Sequence, residues 1–159
     1  MKIYCDLDGV LVDLSGKLSD IYGINIRQSK DFQQYFFDYI KTLDKNGRIQ
    51  FWSNLPKTEE CETLWNFIKP YKTKILTACS HSNAACIGKK IWCQNNLSLD
   101  PKRVFCVTQS NRKQFYAAGN RVLIDDLESN IKEWRDSGGV AVHHTSIKDT
   151  INQLKKLGF

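Results

Sequence analysis

The stretch Lys2-Ile3-Tyr4-Cys5-Asp6-Leu7-Asp8-Gly9-Val10-Leu11-Val12-Asp13 constrains this chain more than any other. A short apolar run ends in two carboxylates one residue apart, then a glycine, as where a parallel strand delivers side chains to the carboxyl edge of an α/β sheet. Two aspartates crowded there repel each other, so ionising both is costly unless a cation or a shared proton offsets it. A hard divalent ion such as Mg2+ would do so. One carboxylate can then attack phosphorus while the other handles a proton, giving an aspartyl-phosphate. Gly9 lets the backbone turn sharply away. Taken alone, Asp-x-Asp-Gly is more simply a β-turn, so the chemical reading requires further site residues downstream, in order.

They follow. Ile75-Leu76-Thr77-Ala78 is an apolar strand ending in a hydroxyl, Val122-Leu123-Ile124-Asp125-Asp126 is an apolar strand ending in paired acids, and Lys113 precedes the latter. With Asp6-Leu7-Asp8-Gly9-Val10, these stretches resemble the four motifs of the haloacid dehalogenase-like (HAD) phosphohydrolases, spanning positions 6 to 126 of 159. The resemblance implies a three-layer α/β sandwich with a mainly parallel, Rossmann-like sheet of five main strands and a Mg2+-dependent hydrolysis of a phosphomonoester. Asp6 would attack in line. Asp8 would protonate the leaving oxygen and later activate water. Thr77, Ala78 and Lys113 would hold the phosphoryl group, with Arg112 as a rival to Lys113. Asp126 would be the direct metal ligand, joined by Asp6 and the Asp8 backbone carbonyl, while Asp125 acts through water or orients its neighbour. Asp8 also favours phosphate over halide chemistry, because a halide leaving group needs no acid.

Between the first two motifs the chain is too long for a simple crossover helix, which predicts a core of residues 1–13 and 73–159 with a small helical cap at 14–72. Apolar spacing marks one cap helix from Leu14 to Gly23, a second from Asp31 to Leu43 stopping at Asn46-Gly47, and a third from Thr58 to Pro70. This segment is rich in aromatic residues that can stack on a nucleobase or fill the cap's own interior. Phe51-Trp52-x-x-Leu55-Pro56 with Glu62-x-Leu64-Trp65 is similar to the cap of the 5'(3')-deoxyribonucleotidases and their phage-encoded relatives. That likeness makes Phe51 and Trp52 candidates for the base pocket. A Lys-x-x-Trp in Gly88-Lys89-Lys90-Ile91-Trp92, also similar to that group, makes Lys89 a second phosphate-binding cation. Asn130-x-x-x-Trp134-x-x-x-Gly138-Gly139 adds to the likeness.

The chain has 159 residues, enough for one domain with a real core. The 23 Lys and Arg against 17 Asp and Glu give a formal charge of +6, which suits anionic partners such as nucleotides or nucleic acids, without any polybasic run. Met1-Lys2-Ile3 enters the first strand directly and no apolar stretch approaches a bilayer span, so a cytoplasmic location without a signal peptide is expected. Six cysteines without a C-x-x-C pair then read as reduced. Cys79, Cys86 and Cys93 recur every seven residues and on a helix would share a face, which reads as ordinary core packing ahead of a metal site. His143 and His144 follow a strand far along the chain and read as loop residues, whereas His81 and Ser80 lie close to Thr77. The leading expectation is a nucleoside-monophosphate phosphatase. Its rivals are a phosphatase of nucleic-acid ends and a nucleotide-binding module without turnover.

Overall fold

The computed structural model describes residues 1–26, 29–79 and 83–159; Ser80 and His81 lie outside them. Strands β1 (Lys2–Cys5), β2 (Lys74–Ala78), β3 (Val104–Val107), β4 (Arg121–Asp125) and β5 (Val140–His143) form one parallel sheet in the order β3-β2-β1-β4-β5. This is the α/β architecture expected. Each strand is short and almost wholly apolar because helices cover both faces of the sheet. Alternate residues divide cleanly between two cores: Ile3, Cys5, Ile75, Val122, Ile124 and Val142 pack on one face, and Tyr4, Leu76, Leu123 and Ala141 on the other.

The second face is closed by α6 (Glu128–Asp136), whose Ile131 and Trp134 are buried beside Tyr4. The first face carries α4 (Cys61–Ile68), α5 (Asn83–Leu97) and α7 (Ile147–Lys156). In α4, Cys61, Leu64, Trp65 and Ile68 are all buried, at the three- and four-residue spacing that puts them on one side. The indole of Trp65 donates to the Leu97 carbonyl at 3.2 Å and the helix packs against α7. Among the described residues the segment expected to be the cap holds four α-helices. Its last helix completes the layer beside the sheet, and α1 (Leu14–Tyr22), α2 (Phe32–Thr42) and α3 (Lys45–Ser53) form the remainder.

Helix α3 departs from the sequence expectation, which had Asn46-Gly47 ending a helix. Asp44 instead caps a new one by accepting the Gly47 N–H at 2.6 Å, and Gly47 falls in the first turn, where a poor helix former costs least. The run Phe51-Trp52 is thereby helical and points inward. Helix α3 lies directly on α5 because Gly88 has no side chain. A Cβ there would sit 2.5 Å from the Trp52 Cβ and 2.7 Å from the Ile49 carbonyl oxygen, so even a methyl group would force the helices apart. Across the same seam the Trp92 indole donates to the Leu55 carbonyl at 2.7 Å.

Candidate active site

Register brings the expected site residues to one edge. Cys5 is aligned with Ile75 on one side and Ile124 on the other, so the residues just beyond them leave the sheet together at its carboxyl edge. Asp6 continues β1 with its N–H on the Ile124 carbonyl at 2.8 Å, beside Asp125. This edge lies where the chain order reverses from β2 to β4 about β1, the place where open parallel sheets leave a crevice.

Beyond Asp6 the backbone folds back at once, with the N–H groups of Leu11 and Val12 both on the Leu7 carbonyl at 2.9 Å. Gly9 carries a φ of +78°, and a Cβ there would lie 2.1 Å from Oδ2 of Asp126. The glycine thus allows the turn and also makes room for the carboxylate arriving from β4.

Lys113, in a short 3-10 helix (Ser110–Tyr116), is buried with its ammonium 2.7 Å from both Asp6 Oδ2 and Asp125 Oδ2. Its rival Arg112 is exposed and lies over the Phe115 ring, 5.5 Å from the centroid. Asp125 is fully buried and heavily satisfied: Asn130 donates to both of its oxygens at 3.0 Å, and the Leu127 N–H to Oδ1 at 3.0 Å. Asp125 is taken up by those donors, whereas Asp126, with Asp6 and Asp8, lines the cavity.

Asp8 meets a different cation. Lys89 rises from α5, 1% exposed, and donates to Asp8 Oδ2 at 2.5 Å, to Thr77 Oγ1 at 2.9 Å and to the Ala78 carbonyl at 2.6 Å. The other Asp8 oxygen is buried with no hydrogen-bond partner among the described residues. Thr77 is wholly buried and Ala78 borders the cavity.

These contacts set the electrostatics. Burial pushes the Asp6 and Asp8 carboxyls up; Lys113 opposes this most strongly at Asp6, and Lys89 at Asp8. Asp126 is raised to about 7, first by burial and then by repulsion from Asp6 and Asp125. Lys113 is held above the ordinary lysine range: burial works against its charge, and Asp6 and Asp125 more than offset it. Lys89 is raised likewise: burial works against its charge, and Asp8, Cys79 and Asp6 together more than offset it. Four carboxylates face two ammonium groups, an excess of two negative charges when all are ionised.

That imbalance fits a divalent cation. Oxygens of Asp6, Asp125 and Asp126 lie within 4.8 Å of one another, a spacing suited to a hard ion that keeps several waters. The suppressed acidity of Asp126, which burial and the neighbouring carboxylates impose, favours the same filling.

The acids open into a cavity of ≈ 320 Å³ lined on its far side by Leu14, Ser15, Phe32, Ser110 and Leu127. Phe51 and Trp52 are not among its lining residues. Both are over nine-tenths buried: Phe51 packs on Tyr39, and the Trp52 ring lies over the Lys89 ammonium, 4.5 Å from it. Among the described residues the aromatic ring at the cavity is Phe32, half-buried at the start of α2. Two other contributors escaped sequence reading. Asn130 clamps Asp125. His143, set beside Asp125 by the pairing of β4 with β5, holds the Asp126 carbonyl through its Nε2 at 3.0 Å. His144 turns away to Thr150 Oγ1 at 2.8 Å. In the sequence Asn130 stands out only through the likeness of Asn130-x-x-x-Trp134, and for His143 the signal is the parallel register, which places the end of β5 beside the end of β4.

Similar architecture occurs in solved structures. A hydrolase from Streptococcus pneumoniae aligns with a TM-score of 0.55 and 14% identity over 99% of this chain and 98% of its own. The corresponding values for a HAD-superfamily hydrolase from Ehrlichia chaffeensis are 0.54 and 11% over 98% and 96%. A magnesium complex of a HAD family enzyme from Bacteroides thetaiotaomicron gives 0.54 and 14% over 97% and 98%. The fold is that of HAD-type hydrolases. No protein-family model and no curated protein sequence matches the chain, so what ties it to the HAD-type fold is architecture and the placement of a few polar residues. No helix among the described residues is long and apolar enough to cross a membrane.

Proposed function

We propose that this chain is a Mg2+-dependent phosphomonoester hydrolase that works through an aspartyl-phosphate, with a nucleoside monophosphate as its substrate. The observation that carries the reading is the convergence of Asp6, Asp8, Asp126 and Lys113 on one cavity from separate segments of the chain. When bound, Mg2+ supplies positive charge beside the phosphoryl oxygens; Asp6 and Asp126 would hold it with the Asp8 backbone carbonyl, and Asp125 would orient them.

The chain's own residues account for the remaining steps. Asp6 has Oδ1 fixed by the Leu7 N–H at 2.7 Å and Oδ2 by Lys113, so its carboxylate is held in one orientation for in-line attack on phosphorus. The phosphorus–oxygen bond to the alcohol breaks, and the leaving oxygen takes a proton from Asp8, whose pKa burial raises above the ordinary carboxylate value against the pull of Lys89. Asp8 then accepts a proton from the water that cleaves the aspartyl-phosphate. Lys113 holds the phosphoryl oxygens, with Ala78 at the cavity wall, while Thr77, wholly buried behind it, accepts from Lys89. Lys89 ties Asp8 to the end of β2, which fits a role in positioning that acid as well as in attracting phosphate. Phe32, with Leu14 and Leu127, offers the apolar side on which a base can rest.

Phosphate release from p-nitrophenyl phosphate with and without Mg2+ tests the reaction, and Asp6→Asn must abolish it. A panel of nucleoside monophosphates set against a 3'-phosphorylated oligonucleotide tests the substrate. Faster turnover of the oligonucleotide would replace the nucleotidase reading with that of an end phosphatase.

A further inference from the structure

A second cluster of ligand atoms lies beside the phosphate-binding end of β2. Cys79 follows that strand and is pinned to β3 by its N–H on the Val107 carbonyl at 2.8 Å; Cys106 comes from β3, and Cys86 from the first turn of α5. Their sulfur atoms lie within 4.8 Å of one another. The seven-residue spacing had grouped Cys79 and Cys86 with Cys93, but Cys79 precedes α5 and does not share its face. Strand β3 supplies the third thiol instead, and Cys93 is turned into the apolar core.

We propose that Cys79, Cys86 and Cys106 form a thiolate site for a thiophilic divalent cation of the Zn2+ class, separate from the carboxylate site and its hard ion. Three sulfurs from three segments are what a tetrahedral ion needs, with the fourth position left to water. Sulfur ligands about 2.3 Å from such an ion stand a little under about 4 Å apart, so only a small contraction of the trio is required. Packing alone needs no such convergence, and a disulfide would use only two of the three thiols. Cys86 and Cys106 are each partly exposed, which gives an ion a way in.

The surroundings favour ionisation of one thiol of the trio, Cys79, while the hydrogen bond to Cys79 and then burial push the Cys106 thiol up. Cys79 is held below the usual thiol range by the Cys106 S–H, with the nearby Lys89 ammonium and the Cys86 S–H also lowering it against burial. Burial pushes Cys93 up to about 12 and Cys61 up to about 11. Binding would displace the thiol protons onto solvent or buffer, leaving the sulfurs' oxidation state unchanged. The ion would join the ends of β2 and β3 to the start of α5.

Co2+ titration of the reduced, metal-free protein reads this directly. One equivalent is expected to give an intense thiolate-to-cobalt charge-transfer absorption with the visible bands of a tetrahedral ion. Excess Zn2+ should remove both and excess Mg2+ neither. Cys106→Ser and Cys86→Ser should each lose the charge-transfer absorption, while Cys93→Ala keeps it. Because a serine variant can fail to fold, the wild-type protein supplies a second readout: Zn2+ should protect Cys86 and Cys106 from alkylation, mapped by mass spectrometry. Absence of the absorption, its survival in Cys106→Ser, or conversion of the trio by peroxide to a disulfide with no metal retained in the reduced form would overturn the proposal. None of these readouts depends on phosphatase activity.

Discussion

Replacing Lys113 by methionine removes the one ammonium group that lies between Asp6 and Asp125. The side chain is 2% exposed and bonded at 2.7 Å to each carboxylate, so methionine keeps most of the volume while leaving two buried acids without their counter-ion. Breaking a buried pair in this way costs about 3–5 kcal/mol, a large share of the roughly 5–15 kcal/mol that holds an ordinary domain together. With a urea m-value of about 2 kcal/mol/M, the unfolding midpoint should fall by about 1.5–2.5 M in Mg2+-free buffer. The loss should shrink on acidification, because a proton on the already raised Asp6 carboxyl removes uncompensated charge. Turnover should drop by about 100-fold or more, since an electrostatic contact to the phosphoryl group goes with it. Urea melts at several pH values with and without Mg2+ provide the check. A midpoint shift below about 0.5 M that ignores pH would refute the reasoning, because Lys113 would then carry none of the charge balance assigned to it.

Phe32→Ala should raise KM for nucleoside monophosphates while leaving p-nitrophenyl phosphate hydrolysis and Tm nearly unchanged; Trp52→Ala should instead cost about 3–5 kcal/mol of stability, measured by denaturation, because its ring is buried over Lys89. Gly9→Ala should abolish Mg2+-dependent turnover, since its methyl would occupy the position of the Asp126 carboxylate, and isothermal titration should show Mg2+ binding lost in parallel. Asp126 is raised to about 7 when folded and titrates near 4 when unfolded, so the proton's contribution is complete below about pH 4 and lost as pH rises through about 7. Metal-free protein should therefore lose Tm between about pH 5 and about pH 8, and Mg2+ should raise Tm more at the higher pH; the reverse order in calorimetry would contradict this.

The strands and the meeting of their polar ends were legible because each motif combines an apolar run with a polar terminus, and a parallel sheet aligns such termini without further information. Lys113 could be set against Arg112 only by burial, which one chain position does not disclose. Helix α3 was obscured by Gly47, which looks like a stop until Asp44 is seen to cap the turn. Phe51 and Trp52 illustrate a different limit. Aromatic content signals a hydrophobic surface, but whether that surface faces a cavity or a neighbouring helix depended here on Gly88, a residue from the other side of the seam. The clamp of Asn130 on Asp125 and of His143 on the Asp126 backbone required tertiary register, as did the substitution of Cys106 for Cys93 in the sulfur trio.

The most direct measurement is to capture the phosphoryl group on the protein. Rapid acid quenching during turnover with Mg2+, followed by reductive trapping and peptide mass spectrometry, should mark Asp6 alone, with the mark absent in Asp6→Asn. Steady phosphate release with no mark at Asp6, or a mark on another side chain, would contradict the account.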